Sequence, residues 1–264
     1  MFINRTSHSK SDLLKQCLYR FLLRYYEYIP EERTGNEDAL NFGSYIHKIL
    51  EEGYQEKSLT NLKKIARDLQ ETYKIKDSML HKAEICLKNF LVWNEDLTDT
   101  VDVELEFSID LAKDIAYTGI IDRVVRGTDG SFLVVDYKTG KREKKKLELY
   151  NDKQLQGYTF AISEMYNVPV HKITCAHYYP VSGNFVPIKY NKAQIETFKR
   201  EKIKEIWRVR KMSKPDFSPQ VNMFCNWCGY KDLCPKQCAP SLAFQKLDEA
   251  KAKAKEARKN KDKK

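Results

Sequence analysis

The order of apolar and polar positions predicts a chain that begins with helices and continues into a sheet. Apolar residues recur at helical spacing in four segments, near Ser9 to Glu27, Ala39 to Tyr54, Leu59 to Lys74 and Ser78 to Trp93. Apolar runs with strand character follow, at Asp102 to Leu111, Ile115 to Arg126, Phe132 to Tyr137, Lys172 to Tyr179 and Asn184 to Tyr190. Helices are predicted over Asp152 to Tyr166 and Lys192 to Met212. This order predicts an α/β fold with a central mixed sheet and an N-terminal helical cap.

The segment SFLVVDYKTGK places an acidic and a basic residue at the end of a buried strand. Side chains alternate across a strand, so Asp136 and Lys138 share one face, and the backbone carbonyl of Tyr137 lies beside them. Hard divalent cations take such oxygen ligands, and a neighbouring lysine can orient water or neutralise a phosphate. The segment therefore indicates a site for phosphodiester hydrolysis. The alternative interpretation is that Asp136 and Lys138 form a surface ion pair before a turn.

A second acidic residue lies inside the apolar run IAYTGIIDRVVRG. A charge at Asp122 is costly there unless it is paired or bound to a metal. The loop Gly127 to Gly130 suggests a hairpin that brings Asp122 next to Asp136. The alternative is pairing of Asp122 with Arg123 or Arg126 at a sheet edge.

A histidine on the second predicted helix is a further candidate ligand. Gly43, His47 and Glu51 recur every fourth residue and therefore share one stripe of the helix. A neutral imidazole at His47 could supply nitrogen to a cation at the strand ends, although a lone histidine is more often a satisfied core or surface residue. Glu104 and Glu106 are candidates for an additional metal contact, but a salt-bridged sheet surface is the expected role for both.

The cysteines form a second pattern. The motif C-x2-C-x5-C comprises Cys225, Cys228 and Cys234, and Cys17 or Cys238 could provide a fourth ligand. Such clustering indicates a metal or an iron–sulfur cluster in preference to disulfides. Spacing alone leaves structural zinc and iron–sulfur both open. Cys86 and Cys175 lie in apolar contexts and are expected to be small core residues.

The chain resembles the RecB-like branch of the PD-(D/E)XK nucleases, which includes the CRISPR-associated RecB-type exonucleases and the nuclease domains of RecB and AddB. The similar segments are the opening from Ser7 to Glu27, GSYIHKILE, GIIDR, VVDYK and QLQGY from Gln154 to Tyr158. The resemblance implies a restriction-endonuclease-like core whose C-terminal segment carries an iron–sulfur cluster. It covers most of the chain.

The resemblance also implies roles for individual residues. Lys138 would act on water or phosphate as a catalytic residue beside Asp122 and Asp136, and Gln154 and Tyr158 would position the DNA backbone. Mg²⁺ or Mn²⁺ would be held by His47, Asp122, Asp136 and the Tyr137 carbonyl. A 4Fe-4S cluster would be held by Cys17, Cys225, Cys228 and Cys234, which leaves Cys238 as a spare thiol. That cluster is expected to fasten the N-terminal helix to the C-terminal segment, with redox sensing as the alternative.

Composition is consistent with a folded protein that binds nucleic acid, although half of its excess positive charge lies in the last 24 residues. The net charge of the 264 residues is +10, and the last 24 residues contribute nine basic and four acidic side chains to it. We expect residues 1–240 to form one nuclease domain and residues 241–264 to form a basic helical or disordered tail. The run Lys141 to Lys146 could follow a phosphate backbone, although such a run is usually a solvated loop.

These features together predict a metal-dependent DNA exonuclease that acts on single-stranded ends in recombination, repair or CRISPR spacer acquisition. The alternative is a non-catalytic DNA-binding or assembly subunit that keeps the fold. The sequence has no G-x-x-x-x-G-K-[ST] loop, so a coupled helicase would be another polypeptide, and a recombinase or a CRISPR adaptation protein are the other expected partners. The absence of a signal peptide and of a long apolar stretch predicts a cytoplasmic protein that does not enter a membrane.

Overall fold

The structure, a computed structural model, describes residues 4–32, 34, 37–95, 97 and 99–261. Its α-helices are α1 (His8–Gln16), α2 (Leu18–Tyr25), α3 (Glu37–Glu52), α4 (Leu59–Gln70), α5 (Leu80–Asn94), α6 (Lys146–Leu149), α7 (Lys153–Met165), α8 (Lys192–Lys211) and α9 (Pro240–Lys261). Its strands are β1 (Arg5–Thr6), β2 (Thr100–Ala112), β3 (Ile115–Arg126), β4 (Phe132–Tyr137), β5 (Ile173–Tyr179) and β6 (Asn184–Ile188). Short 3₁₀ helices lie at Asp77–Met79, Val170–Lys172, Lys214–Asp216, Met223–Trp227 and Lys231–Leu233.

The chain divides into two compact units, one within residues 38–204 and one formed by the described residues among 1–37 and 205–264. In the first unit, β2, β3 and β4 are antiparallel neighbours. Strand β5 then runs parallel to β4, and β6 is antiparallel to β5. The predicted mixed sheet in an α/β fold is therefore confirmed.

The predicted β3–β4 hairpin is also confirmed. Gly127 closes it by donating its backbone N–H to the carbonyl of Ser131 at 2.8 Å. Gly130 adopts φ +74°, a left-handed backbone that glycine reaches without a steric penalty. The turn matters for the site, because it fixes the register of the two strands that carry the candidate acids.

Helices α3, α4 and α5 cover one face of the sheet and form its cap. Their apolar sides pack in one cluster with Val135, Tyr137 and Tyr178 from β4 and β5. Trp93 of α5 stacks on Tyr178 with ring centroids 4.2 Å apart. A fully buried side chain such as Ile46 contributes about 1.5–3 kcal/mol to stability, so the cap is held firmly over the strand ends.

One helix prediction is wrong. The segment predicted as a single helix from Ser9 to Glu27 is broken at Cys17, whose backbone is extended at φ −161° and ψ 114°. Cys17 ends α1 and also caps α2, because its Sγ accepts the backbone N–H of Arg20 at 3.5 Å. Apolar residues continue on both sides of the break and pack in the second unit. Leu14 and Phe21 belong to one buried cluster with Phe217, and Leu23 belongs to another with Tyr230.

Other boundaries move by a few residues. Helix α4 ends at Gln70, four residues before the predicted end, and Lys74 beyond it has φ +52°. The predicted tail is helical as α9 up to Lys261, with Ala243 and Ala254 buried, and its residues 262–264 lie outside the described chain. Within the described residues, none of the helices combines the length and the apolar character needed to cross a membrane.

Candidate functional site

The β3–β4 hairpin brings the two predicted acids to neighbouring positions. Arg123 pairs with Val135 across these antiparallel strands. Asp122, one residue before Arg123, and Asp136, one residue after Val135, therefore occupy the next position along the pair. The Oδ2 atom of Asp122 accepts the backbone N–H of Tyr137 at 2.6 Å. Asp136 is only 2% exposed. The carbonyl of Tyr137 as a metal ligand stays a prediction, since the contact with Asp122 is made by its amide.

Helix α3 adds an imidazole to this pair. The Nδ1 atom of His47 lies 3.5 Å from Asp122 Oδ1. Glu104 of β2 joins them, and the ligand atoms of His47, Glu104 and Asp122 all lie within 4.8 Å of one another. Glu106, the other acid considered on this strand, is exposed and lies outside the group. Glu104 thus lies in a group of possible metal ligands, and its role as a metal contact stays a prediction.

The backbone of Glu104 is unusual for a strand residue. Its φ is +48°, a left-handed conformation that costs a non-glycine residue of the order of 1–3 kcal/mol. On the opposite side of the same cleft, of about 450 Å³, α3 approaches the strand end closely at Gly43. A Cβ atom there would lie 3.0 Å from Thr139 Oγ1. The cleft is thus bounded by one strained backbone position and by one close approach of α3 to the end of β4.

A second set of polar contacts links Lys138 to α7. The Nζ atom of Lys138 lies 2.6 Å from Asp136 Oδ2 and donates to Gln154 Oε1 at 3.0 Å. Gln154 Nε2 donates to Tyr158 Oη at 2.8 Å, and Tyr158 Oη donates to Asp136 Oδ1 at 3.5 Å. Asp152 caps α7 by accepting the backbone N–H of Gln154 at 2.9 Å. The four side chains Asp136, Lys138, Gln154 and Tyr158 therefore form one connected group.

The electrostatics of the site show crowded negative charge. Burial would lower the pKa of His47, but the hydrogen bond with Asp122 and the carboxylates around it raise that pKa. Burial, together with the charge of Asp122, raises the pKa of Glu104 to about 6. Burial also raises the pKa of Asp136, and Lys138 opposes part of this shift. A bound cation would compensate both the repulsion and the burial.

The arrangement offers one imidazole nitrogen and carboxylate oxygens within reach of one another, with an ammonium group at their edge. Oxygen and imidazole ligands of this kind suit Mg²⁺ and Mn²⁺. The chemistry that such a set supports is hydrolysis of a phosphodiester by an activated water.

The alternative prediction paired Asp122 with Arg123 or Arg126, but the structure gives both arginines other partners. Arg123 is fully buried, and its guanidinium donates to Asn94 Oδ1 at 2.6 Å and to Thr100 Oγ1 at 2.7 Å. Arg126 lies over the ring of Phe132, 5.8 Å from its centroid. Arg123 therefore serves the packing of the sheet, whereas Arg126 is exposed. No sequence pattern indicated the buried role of Arg123.

A histidine behind the site was also missed. His177 of β5 pairs in register with Asp136, is 1% exposed, and has Nε2 3.6 Å from Asp136 Oδ2. In the sequence it is one polar residue within an apolar strand. That isolation was a usable signal, because a buried polar residue needs a partner.

The cysteines predicted as cluster ligands border one cavity of the second unit. It is lined by side chains that include Cys17, Cys225, Cys228 and Cys234. Cys238 instead donates to the backbone carbonyls of Asp232 and Cys234, at 3.3 and 3.5 Å. Among the described residues, no three sulfur atoms lie within 4.8 Å of one another. The sulfur atoms thus surround the cavity without converging, and a bound cluster stays a prediction.

Backbone amides are directed at these thiols. Cys17 Sγ accepts from Arg20 N at 3.5 Å, and Cys225 Sγ accepts from Asn222 N at 3.3 Å. Burial raises the pKa of Cys228 and of Cys234, although backbone hydrogen bonds to both sulfurs oppose the shift. Cys86 and Cys175 are fully buried in the first unit, as expected of core residues.

The fold and the site together define a metal-dependent nuclease core, in which a mixed sheet carries two acids and a lysine at the ends of adjacent strands. The chain belongs to the PD-(D/E)XK nuclease superfamily, whose family model matches residues 5–235.

Curated relatives agree with this class. The chain is 29% identical over 162 residues to a subunit of the ATP-dependent helicase/deoxyribonuclease of Streptococcus agalactiae, a match that covers 55% of this chain and 15% of that protein. It is 28% identical over 172 residues to the subunit of the same name from Streptococcus mutans, which covers 54% of this chain and 14% of the relative. The chain therefore spans only a small part of the length of these proteins.

A solved structure is also similar. The crystal structure of SSO0001 matches 88% of this chain and 98% of its own, with a TM-score of 0.38 and 18% sequence identity.

Proposed function

We propose that the protein is a Mg²⁺- or Mn²⁺-dependent deoxyribonuclease that hydrolyses DNA from its ends, with single-stranded ends as its substrate. The observation that carries the proposal is the convergence of His47, Glu104 and Asp122 within 4.8 Å, next to the Asp136–Lys138 pair.

The ligand set fits a hard divalent cation. His47, Asp122, Asp136 and the carbonyl of Tyr137 would hold the ion, and Glu104 is added to this set by its position. When bound, the ion would act as a Lewis acid and lower the pKa of a water molecule. The raised pKa values of Glu104 and Asp136 support the proposal, because crowded buried carboxylates bind a cation that neutralises them.

The remaining polar residues position the reactants. The ammonium of Lys138 would orient the attacking water or neutralise the phosphate. Gln154 holds Lys138 at 3.0 Å and Tyr158 at 2.8 Å, so it orients the lysine from the side of α7. Gln154 and Tyr158 would in turn contact the DNA backbone. Burial raises the pKa of Tyr158 well above its ordinary value, so its hydroxyl stays a hydrogen-bond donor.

DNA binding is supported by the basic loop that follows Lys138. Lys141, Lys145 and Lys146 are exposed there. Arg142 pairs with Glu148, and Lys144 lies 2.7 Å from Asp152, so these contacts fix the loop while other lysines face solvent. Phosphates attracted by such a loop would be led toward the strand ends.

The test uses end-labelled single-stranded and duplex DNA with Mn²⁺, Mg²⁺ or EDTA. We expect the wild type to shorten the labelled DNA when metal is present, and we expect Asp122→Asn not to shorten it. Glu106→Gln is the matched control, because this exposed acid lies outside the ligand group, and it should cleave as the wild type does. Equal cleavage by Asp122→Asn, or cleavage in EDTA, would refute the proposal.

We also propose that the second unit holds a 4Fe-4S cluster on Cys17, Cys225, Cys228 and Cys234. Support comes from the common cavity that these residues line and from the backbone N–H groups directed at their sulfurs. Such hydrogen bonds stabilise thiolate ligands of iron–sulfur clusters. The cluster would fasten α1 and α2 to the segment after residue 220.

Anaerobic purification followed by iron, sulfide and zinc analysis tests this second proposal. We expect four iron atoms and four sulfides in the wild type and in Cys238→Ser, and loss of both in Cys228→Ser. Stoichiometric zinc without sulfide would show a zinc site instead.

A helicase subunit is the partner that we propose. The relatives are named as subunits of an ATP-dependent helicase/deoxyribonuclease, which supports this choice. Recombination, repair or CRISPR spacer acquisition are the processes in which such an enzyme would act.

A further inference from the structure

A buried polar network lies behind Asp136, on the side away from the cleft residues His47 and Glu104. Its centre is His177, which stands beside Asp136 in the parallel pair of β4 and β5 and is 1% exposed. Around it lie Tyr179 of the same strand and Asp152, the cap of α7.

A tyrosine hydroxyl lies next to one nitrogen of the imidazole. Lys144 donates its backbone N–H to Tyr179 Oη at 2.8 Å, so the tyrosine keeps its own proton for another acceptor. Tyr179 Oη lies 3.4 Å from His177 Nδ1. If Nδ1 accepts the tyrosine proton, a neutral ring carries its hydrogen on Nε2.

The Nε2 atom then presents its N–H to the two carboxylates that it faces, those of Asp136 and Asp152.

Two carboxylates face this N–H, each of them paired with a lysine, and Asp136 is the nearer of the two. Asp152 Oδ2 lies 3.9 Å away, but it is already paired with Lys144 Nζ at 2.7 Å. Asp136 Oδ2 lies 3.6 Å away and is held by the Lys138 ion pair. His177 Nε2 is buried and makes no hydrogen bond with the described residues, while Asp136 Oδ2 has the ammonium of Lys138 beside it as an ion-pair partner.

We propose that His177 is a positioning residue that holds the carboxylate of Asp136 through its Nε2–H. The proposal rests on the proposed function, in which Lys138 turns toward water or phosphate and releases Asp136 Oδ2. An approach of roughly 0.5 Å brings Nε2 and Oδ2 to hydrogen-bond distance. A hydrogen bond from His177 Nε2 would fix the orientation of the Asp136 carboxylate toward the metal. Hydrogen bonds to metal-ligating carboxylates have this effect in other proteins.

The first arm of the test measures function. His177→Leu removes the donor, and His177→Gln keeps an N–H in a similar place. We expect His177→Leu to weaken Mn²⁺ binding, measured by calorimetry, by roughly 10- to 100-fold. It should lower kcat while leaving KM for DNA unchanged, and His177→Gln should restore most of both quantities. The exposed His171 provides the control, since His171→Gln should change neither.

The second arm does not depend on metal or activity. Nitrogen NMR of the metal-free protein should show a neutral His177 with its hydrogen on Nε2, and Asp136→Asn should shift that Nε2 signal. A hydrogen on Nδ1, or an Nε2 signal unchanged by Asp136→Asn, would overturn the proposal. So would wild-type Mn²⁺ affinity and kcat in His177→Leu with an unaltered melting temperature. Failure of the wild type to bind Mn²⁺ would instead refute the proposed function, and the NMR arm would still decide the role of His177.

Discussion

Gly157 lies in the middle of α7, where the helix meets the sheet more closely than a side chain allows. A Cβ atom at this position would lie 2.3 Å from Tyr117 Oη and 2.6 Å from two carbons of the same ring. Tyr117 is 1% exposed, and its ring packs against Phe107 and Phe198 with centroids 5.7 and 5.2 Å apart. The ring therefore has little room to move away.

Two opposing effects decide the outcome of Gly157→Ala. Alanine in place of glycine inside a helix stabilises by about 1 kcal/mol. Reaching normal contact distance requires a shift of about 1 Å in a packed core, and overpacking of this kind costs about 1–3 kcal/mol. We expect a net loss of about 1 kcal/mol, and at most about 2 kcal/mol, in the free energy of unfolding. Because α7 carries Gln154 and Tyr158, kcat should fall as well.

Urea denaturation and the DNA cleavage assay measure these two effects. Gly43→Ala is the matched control for stability, since Gly43 also lies inside a helix but its Cβ would meet only Thr139 Oγ1, at 3.0 Å. It should be as stable as the wild type or more so. The double variant Gly157→Ala with Tyr117→Phe removes the 2.3 Å contact and should recover part of the loss relative to Tyr117→Phe alone. A Gly157→Ala protein at least as stable and active as the wild type would refute the reasoning.

Three further variants test other parts of the structure. Arg123→Leu leaves the buried oxygens of Asn94 and Thr100 without their donor, so we expect a loss of about 3 kcal/mol or more in urea denaturation; a loss below about 1 kcal/mol would show that water replaces the guanidinium. Glu104→Gly removes a strained backbone and a repelled carboxylate, so the metal-free melting temperature should rise while Mn²⁺ affinity falls; a lower melting temperature would contradict the assigned strain. A cluster that joins residues some two hundred positions apart should stabilise the protein by about 5 kcal/mol in the cross-link model, so we expect Cys228→Ser to lose that amount. Equal stability of this variant and the wild type would show that the cluster does not fasten the two segments.

The sequence predicted the strands of the site closely and its supporting residues poorly. Strands β3 and β4 have the predicted bounds, because their apolar runs are bordered by a glycine turn and a Thr-Gly turn. The placement of Asp122 beside Asp136 followed from the short hairpin alone. Such local signals are readable because the residues that make them are close in the chain.

Long-range features were not readable in the same way. The sequence pattern around Glu104 gives no sign of its left-handed backbone. His177 acquires its position from a parallel pair whose strands are separated by α6 and α7. The break at Cys17 was hidden because apolar spacing continues through it. Gln154 and Tyr158 were chosen through the family resemblance, and the structure links them to each other and, through Gln154, to Lys138.

The second unit consists of two stretches that are far apart in the sequence, and this affects the order in which the protein forms during translation. Its first part ends near residue 37 and its remainder begins at residue 205, so the two pieces leave the ribosome far apart in time. At about 5–20 residues per second the delay is roughly 10–35 s. During that interval the apolar side chains of Leu14, Phe21 and Leu23 still lack Phe217 and Tyr230 as neighbours. The nascent N-terminal segment therefore exposes apolar side chains until the segment after residue 205 has been made.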